Sequence, residues 1–467
     1  MSSVIAGRAV VLGGSITGLF AAAALAPSYR EVVLVDRDRL IGVREWRRGA
    51  PQTRHINGLL ARGHQALEEL FPGITQEMAD DGVPFSDLAG TVRWYFHGRR
   101  LKQVRAGLSC VAATRPVLEY HVRRRVEAMP NVTFLEECDV VGLSATPDGS
   151  RVTGARIHRR NEGTGEETLD ADLVVDTTGR GSRSPKWLVE LGYQQVDEQR
   201  TKVDIGYASR HYRLRSDPFG DDHSINPVAS PVLPRGAIFT KTDGGRVELT
   251  TYGILGDHPP TDEAGFNDFV KTLAAPEIHE AIVDAEPLDD IALFRFPTTM
   301  WRRFDLLTAA PDRFLVMGDA VCTPNPVYAQ AQSLSALEAL ALRARLRRGF
   351  APDPLAFQQE VAAIIRPAWE MTTSVDLGFP GVEGRRTLAT RLMHVFSRRL
   401  HDAATRDARF TAAFMRVAGL VDPPAALMRP GLVLGVLRTA WRTPPRQGAP
   451  LRTAPSVGRR ARGRRPR

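Results

Sequence analysis

The chain is written in short apolar runs divided by polar, glycine-marked breaks. Ala9–Leu12 (AVVL) has no polar residue, which predicts a strand covered on both faces. GGSITG follows, then the Ala-rich stretch Leu19–Leu25, which predicts a helix. Val32–Val35 (VVLV) is a second buried strand, closed by Asp36. A polar stretch with Arg48, Gly49, Pro51 and Gln52 predicts a loop, leading into a helix from about Asn57 to Leu70 that stops at Pro72-Gly73. Residues 83–105 alternate around Trp94, Tyr95 and Phe96, with a turn at Gly98. Leu118, His121, Val122 and Val126 fall at helical spacing within Arg115–Met129, and Val132–Leu135 is another strand. Val140–Leu143 and Val152–His158 flank Pro147-Asp148-Gly149 and predict a hairpin. Leu173–Val175 is a buried strand running into Asp176-Thr-Thr-Gly-Arg-Gly-Ser.

The pattern then becomes strand-rich, at 202–213 and at 235–254, the latter broken at Asp243-Gly244-Gly245. A helix is predicted from about Glu263 to Ala285. Phe314–Met317 returns to a buried strand, ending in Gly318-Asp319, and a long Ala/Leu helix follows from about Gln330 to Arg347. Residues 353–440 are mostly helical in pattern, with proline breaks at 367, 380, 423 and 430. Strands enclosed between two pieces of α/β sequence predict an inserted sheet that covers a substrate. The expected organisation is a Rossmann-like nucleotide-binding part over 1–200, with some of the substrate sheet near 80–105. An insertion spans 201–296, the first part resumes over 297–350, a helical region spans 351–445, and an Arg-rich tail spans 446–467.

Composition changes this picture little. At 467 residues, with 43% hydrophobic and 25% charged positions, the chain can bury a sizeable core. Three widely separated cysteines (Cys110, Cys138, Cys322) predict neither a disulfide framework nor a metal site. An early strand leaves no room for a signal peptide, and no run is long enough to span a membrane, so a cytoplasmic protein is expected. Eight arginines from Arg446 onward, with no acid among them, supply all but one unit of the net charge of +9. That tail is expected to be disordered, and no module that reads nucleic acid accompanies it.

The chemistry begins at Gly13. Gly13, Ser15 and Gly18 occupy the three positions of the dinucleotide fingerprint, with Ser15 in place of the middle glycine. Gly13 permits the tight turn, a small residue at 15 lets amides approach a pyrophosphate, and Gly18 lets the helix pack on the sheet. Asp36, with Arg37 beside it, stands where a carboxylate reaches a ribose hydroxyl.

Three separated segments then agree: GGSITGL at 13–19, DLVVDTTGRGSRSPKWL at 172–188 and GDAVCTPNPVYAQAQSLSALEAL at 318–340. Together they resemble the class A flavoprotein monooxygenases, and within that class the FAD-dependent epoxidases of polyether antibiotic pathways. RRGAPQTRH at 47–55 is similar to a loop of that group. The resemblance implies an α/β fold: a Rossmann-like FAD-binding domain with an inserted β-sheet substrate domain and a C-terminal helical region. It implies that Gly13, Gly14, Ser15 and Gly18 carry the FAD pyrophosphate and Asp36 the adenosine ribose. Arg115 would approach the phosphate and ribityl region, and the Val140 backbone the adenine; Arg54 suits either a flavin phosphate contact or an ordinary surface-loop arginine. Gly318-Asp319 would hold the ribityl chain, and the helix start at Gln330-Ala331 would face the flavin pyrimidine. Ala329, Ala331 and Gln332 depart from the group's pattern, which has two glycines and a methionine, and Asn57 replaces its second basic residue.

The implied activity is transfer of one oxygen atom from O2, on reduced FAD, to an apolar small molecule. NAD(P)H or a separate flavin reductase would supply the electrons, and no metal is called for. His55, Asn57 and Gln332 are the candidate polar groups at the reaction centre. His55 and Asn57 also suit a helix start, and Gln330 and Gln332 suit a helix cap. Trp94, Tyr95 and Phe96 suit either a pocket wall or a core strand. The flavin halogenases' Trp-containing motif is absent. A double-bond reductase of the geranylgeranyl-reductase type and a flavoprotein that binds a ligand without redox turnover remain the alternatives.

Overall fold

The computed structural model describes residues 5–47, 49–56, 58–160, 163, 165–349 and 352–441. Asn57 and the arginine-rich tail lie outside them. The Rossmann-like sheet has five strands, in the order Phe314–Val316, Leu173–Asp176, Ala6–Leu12, Tyr29–Val35, Val132–Leu135, and every adjacent pair is parallel. The register sets Leu12 opposite both Val35 and Asp176, so two acidic strand ends flank the Gly13 turn. Ala9–Leu12 are wholly buried, as continuous apolar strands are when helices cover both faces. Of helix Ile16–Leu25 all but Thr17 is buried, and Thr17 Oγ1 meets Ser335 Oγ of helix Ala331–Leu346 at 2.9 Å.

A second, nine-stranded sheet is mixed. Its order runs Cys322–Thr323, Ala292–Arg302, Glu198–Arg213, Val247–Gly253, Arg235–Lys241, Ser224–Pro227, Val92–Phe96, Arg99–Arg100, with Glu286–Pro287 pairing on the side of Glu198–Arg213. Residues alternate across it. Ala208, Tyr212, Val247 and Leu249 face helices Glu263–Lys271 and Pro276–Ile282, while Val203, Ile205, Tyr207 and Tyr252 belong to a separate core with Phe379 and Val382. Cys322–Thr323 pairs with Ala292–Arg302 and ties this sheet to the Gly318-Asp319 turn.

Several expected elements change in the structure. The 263–285 helix is two helices, because Ala275 before Pro276 takes φ −127° and ψ 87°, outside the helical region. Pro367 does not break its helix, which runs from Pro354 to Asp376. Pro367 and Ala363 are both exposed there, so the carbonyl that loses its donor faces solvent. The helix expected from Asn57 begins at Ala61. Trp94 and Phe96 pack in a core against the C-terminal helices: Trp94 Nε1 donates to the Leu88 carbonyl at 2.7 Å, and Phe96 lies 4.3 Å from the His401 ring. Tyr95 points the other way and meets Glu277 at 2.5 Å. No described helix is long and apolar enough to cross a membrane.

Candidate functional site

The glycine turn is confined by backbone. Gly13 has φ 99°, and a Cβ on it would stand 2.8 Å from the Thr177 carbonyl oxygen; a Cβ on Gly18 would stand 1.8 Å from the Gly13 oxygen. Thr177 Oγ1 donates to the Leu12 and Gly13 carbonyls at 2.8 and 2.9 Å, so the second motif clasps the first. Asp36 Oδ2 accepts the Gly14 amide at 2.6 Å and Oδ1 the Asp38 amide at 2.8 Å. Each oxygen keeps a lone pair for a further donor. Burial raises the Asp36 pKa, against the pull of Arg47. Arg37 is exposed. Val140 lies two residues beyond Cys138, whose amide donates to the Asp36 carbonyl at 2.9 Å.

Ser15 begins helix Ile16–Leu25, yet its hydroxyl does not cap it. Ser15 Oγ donates to Glu119 Oε1 at 2.6 Å and accepts from Arg115 Nη2 at 3.0 Å. Glu119 is buried and also accepts from Arg115 Nε at 2.9 Å and Arg47 Nη2 at 3.1 Å. Burial alone would raise this carboxyl; Arg115 and Arg47 outweigh it and hold it at about 2. Arg47 also reaches Asp38 at 3.1 Å. A buried arginine–carboxylate cluster therefore aims Arg115 at the glycine turn. Glu119 and Arg47 were not among the expected site residues. Glu119 stands one helical turn after Arg115, an i,i+4 pairing the sequence offered, whereas Arg47 is one of several loop arginines and only the fold selects it.

Gly318 has φ 65°, and a Cβ there would stand 2.6 Å from Thr17. Its amide donates to Glu338 Oε2 at 2.7 Å. Burial raises Glu338 to about 8, and the neighbouring Asp319 adds to this. Asp319 is half-buried; burial raises its pKa and Arg115 and Arg180 oppose that. Asn325 and Tyr328 both donate to Asp376 Oδ1 at 2.9 Å, from the end of the Pro354–Asp376 helix. The C-terminal helical region thereby clamps the turn before Ala329, a link absent from the sequence reading.

Ala329 holds a left-handed conformation, φ 54° and ψ 29°, at one of the two positions where the resemblance expects glycine. Ala331 opens the helix in ordinary helical geometry, with Gln330 at its cap position. Gln330 and Gln332 are both buried, and the Gln330 side-chain oxygen has no hydrogen-bond partner among the described residues. His55 is buried against Tyr207 and Phe294, at 6.2 and 5.7 Å between ring centroids, with Nδ1 2.8 Å from Ser209 Oγ. Burial, then Arg54, lowers its pKa to about 4. Arg54 itself is exposed and stacks over Trp46 at 4.7 Å.

The residues present fit an FAD. Arg115 stands beside Ser15 at the glycine turn, and the buried Gln330 oxygen at the start of helix Ala331–Leu346 has no hydrogen-bond partner among the described residues. Gly179, at φ 78°, lies beside Asp319: a Cβ on it would stand 3.9 Å from Asp319 Cβ. Held there, FAD would meet Gly13–Gly18 and Arg115 with its phosphates, Asp36 with its ribose, Asp319 with its ribityl chain, and the helix start with its ring.

No protein-family model matches the chain. Protein Rv3254 of Mycobacterium tuberculosis is 31% identical over 400 residues, which is 80% of this chain and 80% of that one. Among solved structures, the flavin-dependent brominase Bmp2 superposes with a TM-score of 0.63 at 12% identity, covering 94% of this chain and 99% of that one. The p-nitrophenol 4-monooxygenase PnpA of Pseudomonas putida superposes with a TM-score of 0.62 at 16% identity, covering 91% and 100%. At these identities the likeness is one of fold, and the fold is that of the FAD-dependent monooxygenases and halogenases.

Proposed function

This chain belongs to the family of the mycobacterial protein Rv3254, and on that premise we propose that it is an FAD-dependent monooxygenase. In this reading it transfers one oxygen atom from O2 to an apolar, natural-product-like molecule, with alkene epoxidation favoured. NAD(P)H or a separate flavin reductase supplies electrons. The observation that supports the reading is that three motifs far apart in sequence meet: Thr177 clasps the Gly13 turn, Thr17 meets Ser335, and Arg115 bonds Ser15 with Asp319 as a charged neighbour. The preference for epoxidation rests on the sequence resemblance.

Bound FAD supplies the redox chemistry that activates oxygen. The protein's part is to bind, orient and exclude water. The first amides of helix Ala331–Leu346 would stabilise negative charge on a ring carbonyl held at the helix start. His55 packs against Tyr207 and Phe294, aromatic surroundings on the nine-stranded sheet that would suit an apolar ligand. His55, uncharged at neutral pH, can hold or pass a proton there.

The test is reconstitution with FAD, followed by mass spectrometry of lipophilic products after incubation with reduced flavin and oxygen. Gain of one oxygen atom is expected. Gain of two hydrogens would give the case to a double-bond reductase, and failure to hold FAD would end the flavoenzyme reading.

A further inference from the structure

A row of polar side chains crosses the interior of the nine-stranded sheet on the face that carries His55. His55 Nδ1 lies 2.8 Å from Ser209 Oγ. Ser209 and Thr250 are direct cross-strand partners with hydroxyls 2.5 Å apart, and Thr250 Oγ1 donates to Glu248 Oε1 at 2.9 Å. Glu248 Oε2 stands 3.6 Å from Nε2 of its own cross-strand partner, His211. His211 Nδ1 lies 2.7 Å from Asp289 Oδ2, a carboxylate 45% exposed at the sheet's edge. Ser209, Glu248 and Thr250 are all buried. On the same strand Val247 and Leu249 face the opposite, apolar core, so the alternation puts Ser209, His211, Glu248 and Thr250 together on the other face, next to Tyr207 and Tyr252.

The row can run in two directions. With Glu248 ionised, Thr250 donates to it, Ser209 donates to Thr250, and the Nδ1–H of His55 donates to Ser209. A proton taken up at His55 Nε2 pushes the Nδ1 proton to Ser209, the Ser209 proton to Thr250 and the Thr250 proton to Glu248. Every hydrogen bond then points the other way, and one proton has crossed with no group left charged between the ends. His211 and Asp289 continue the path outward over the single step longer than a hydrogen bond.

We propose that His55, Ser209, Thr250, Glu248, His211 and Asp289 form a proton path between the candidate reaction centre and solvent. What the path serves rests on the flavoenzyme reading, since a flavin that is reduced and reoxidised exchanges protons at each turnover; its existence does not. Burial raises Glu248 to about 7, so both directions are populated near neutral pH. His55 is held uncharged, with Arg54 its charged neighbour. Burial would lower His211, but Asp289 and Glu248 raise it against Arg246. Arg210 flanks Asp289 and pairs with Glu263 at 3.8 Å, and the Ile56 amide reaches Thr250 at 3.5 Å.

Two variants test this on the full chain. Glu248→Gln retains the hydrogen bonds without a titrating proton, and Thr250→Val removes one hydroxyl at nearly constant shape. The first arm is 15N-histidine NMR without added flavin. The wild type should show His55 changing tautomer with pH near neutrality, and both variants should lose that change. Persistence of the change in the variants, or its absence in the wild type, overturns the path. In the second arm, FAD-loaded protein is reduced with dithionite and mixed with oxygen in H2O and in D2O. Flavin reoxidation consumes one proton for each H2O2 formed. The variants should slow it about tenfold and raise the solvent isotope effect, with FAD affinity unchanged. Equal rates and isotope effects overturn the proposal. Loss of FAD binding in the wild type would count against the flavoenzyme reading, and the first arm then decides the path alone.

Discussion

Ala329 and Gly58 face each other so closely that a Cβ on Gly58 would stand 3.3 Å from the Ala329 Cβ, while Ala329 itself holds φ 54°. That backbone is the kind glycine favours, and the family resemblance expects glycine at this position. Left-handed backbone costs an L-residue about 1–2 kcal/mol, partly offset because glycine is freer when unfolded. Ala329→Gly should therefore raise Tm slightly or leave it unchanged. Ala331→Gly, inside a helix with ordinary geometry, should lower stability by about 0.5–1 kcal/mol. Thermal melts of the two single variants check this, and equal losses would mean the strain at Ala329 is not real. With both reverted, FAD should stay bound while the coupling of oxygen use to product changes.

Glu119 neutralises a buried group of arginines beside Ser15. Removing one partner of such a cluster strands the others, so Glu119→Ala should cost about 3–5 kcal/mol, measured by urea unfolding. Its folded pKa of about 2 lies below the ordinary 4.5. The stability it contributes is present above 4.5 and lost as pH falls from there to about 2. Glu119→Gln should flatten the stability profile within that window.

Glu338 works in the opposite sense. Its pKa rises from 4.5 to about 8 on folding, so the folded state holds its proton more tightly than the unfolded state. Its contribution is present in full below 4.5 and is lost as pH rises towards 8. Glu338→Gln keeps an acceptor for the Gly318 amide without the titration. The Tm of the variant relative to wild type should climb between those two pH values; a constant difference would show that Glu338 does not titrate there.

Asp319 stands beside Gly318 with Arg115 and Arg180 as its charged neighbours. If it holds a ribityl hydroxyl, Asp319→Ala loses about 1–3 kcal/mol of FAD binding, a roughly 5- to 150-fold rise in Kd. Fluorescence titration with FAD measures it, and full retention of FAD through dialysis would remove Asp319 from the site.

The βαβ start is legible in the chain alone. An unbroken apolar run, glycines at fixed spacing and a terminal acid satisfy local sterics and burial together, and Ala6–Leu12, Ile16–Leu25 and Tyr29–Val35 form as the pattern reads. The parallel order around them, with Leu173–Asp176 and Phe314–Val316 inserted from afar, needed the sheet. The same holds for the site. Gly13 and Asp36 carry local marks of a nucleotide-binding turn, and Arg115 and Asp319 could be named only through the family resemblance. Arg47, Asp376 and the row from Ser209 to His211 could not. Their meaning comes from partners that are 72, 48 and 51 or 154 and 41 residues away. A buried charge or hydroxyl is tolerated only when such a partner meets it, and that meeting is decided by strand register and helix packing.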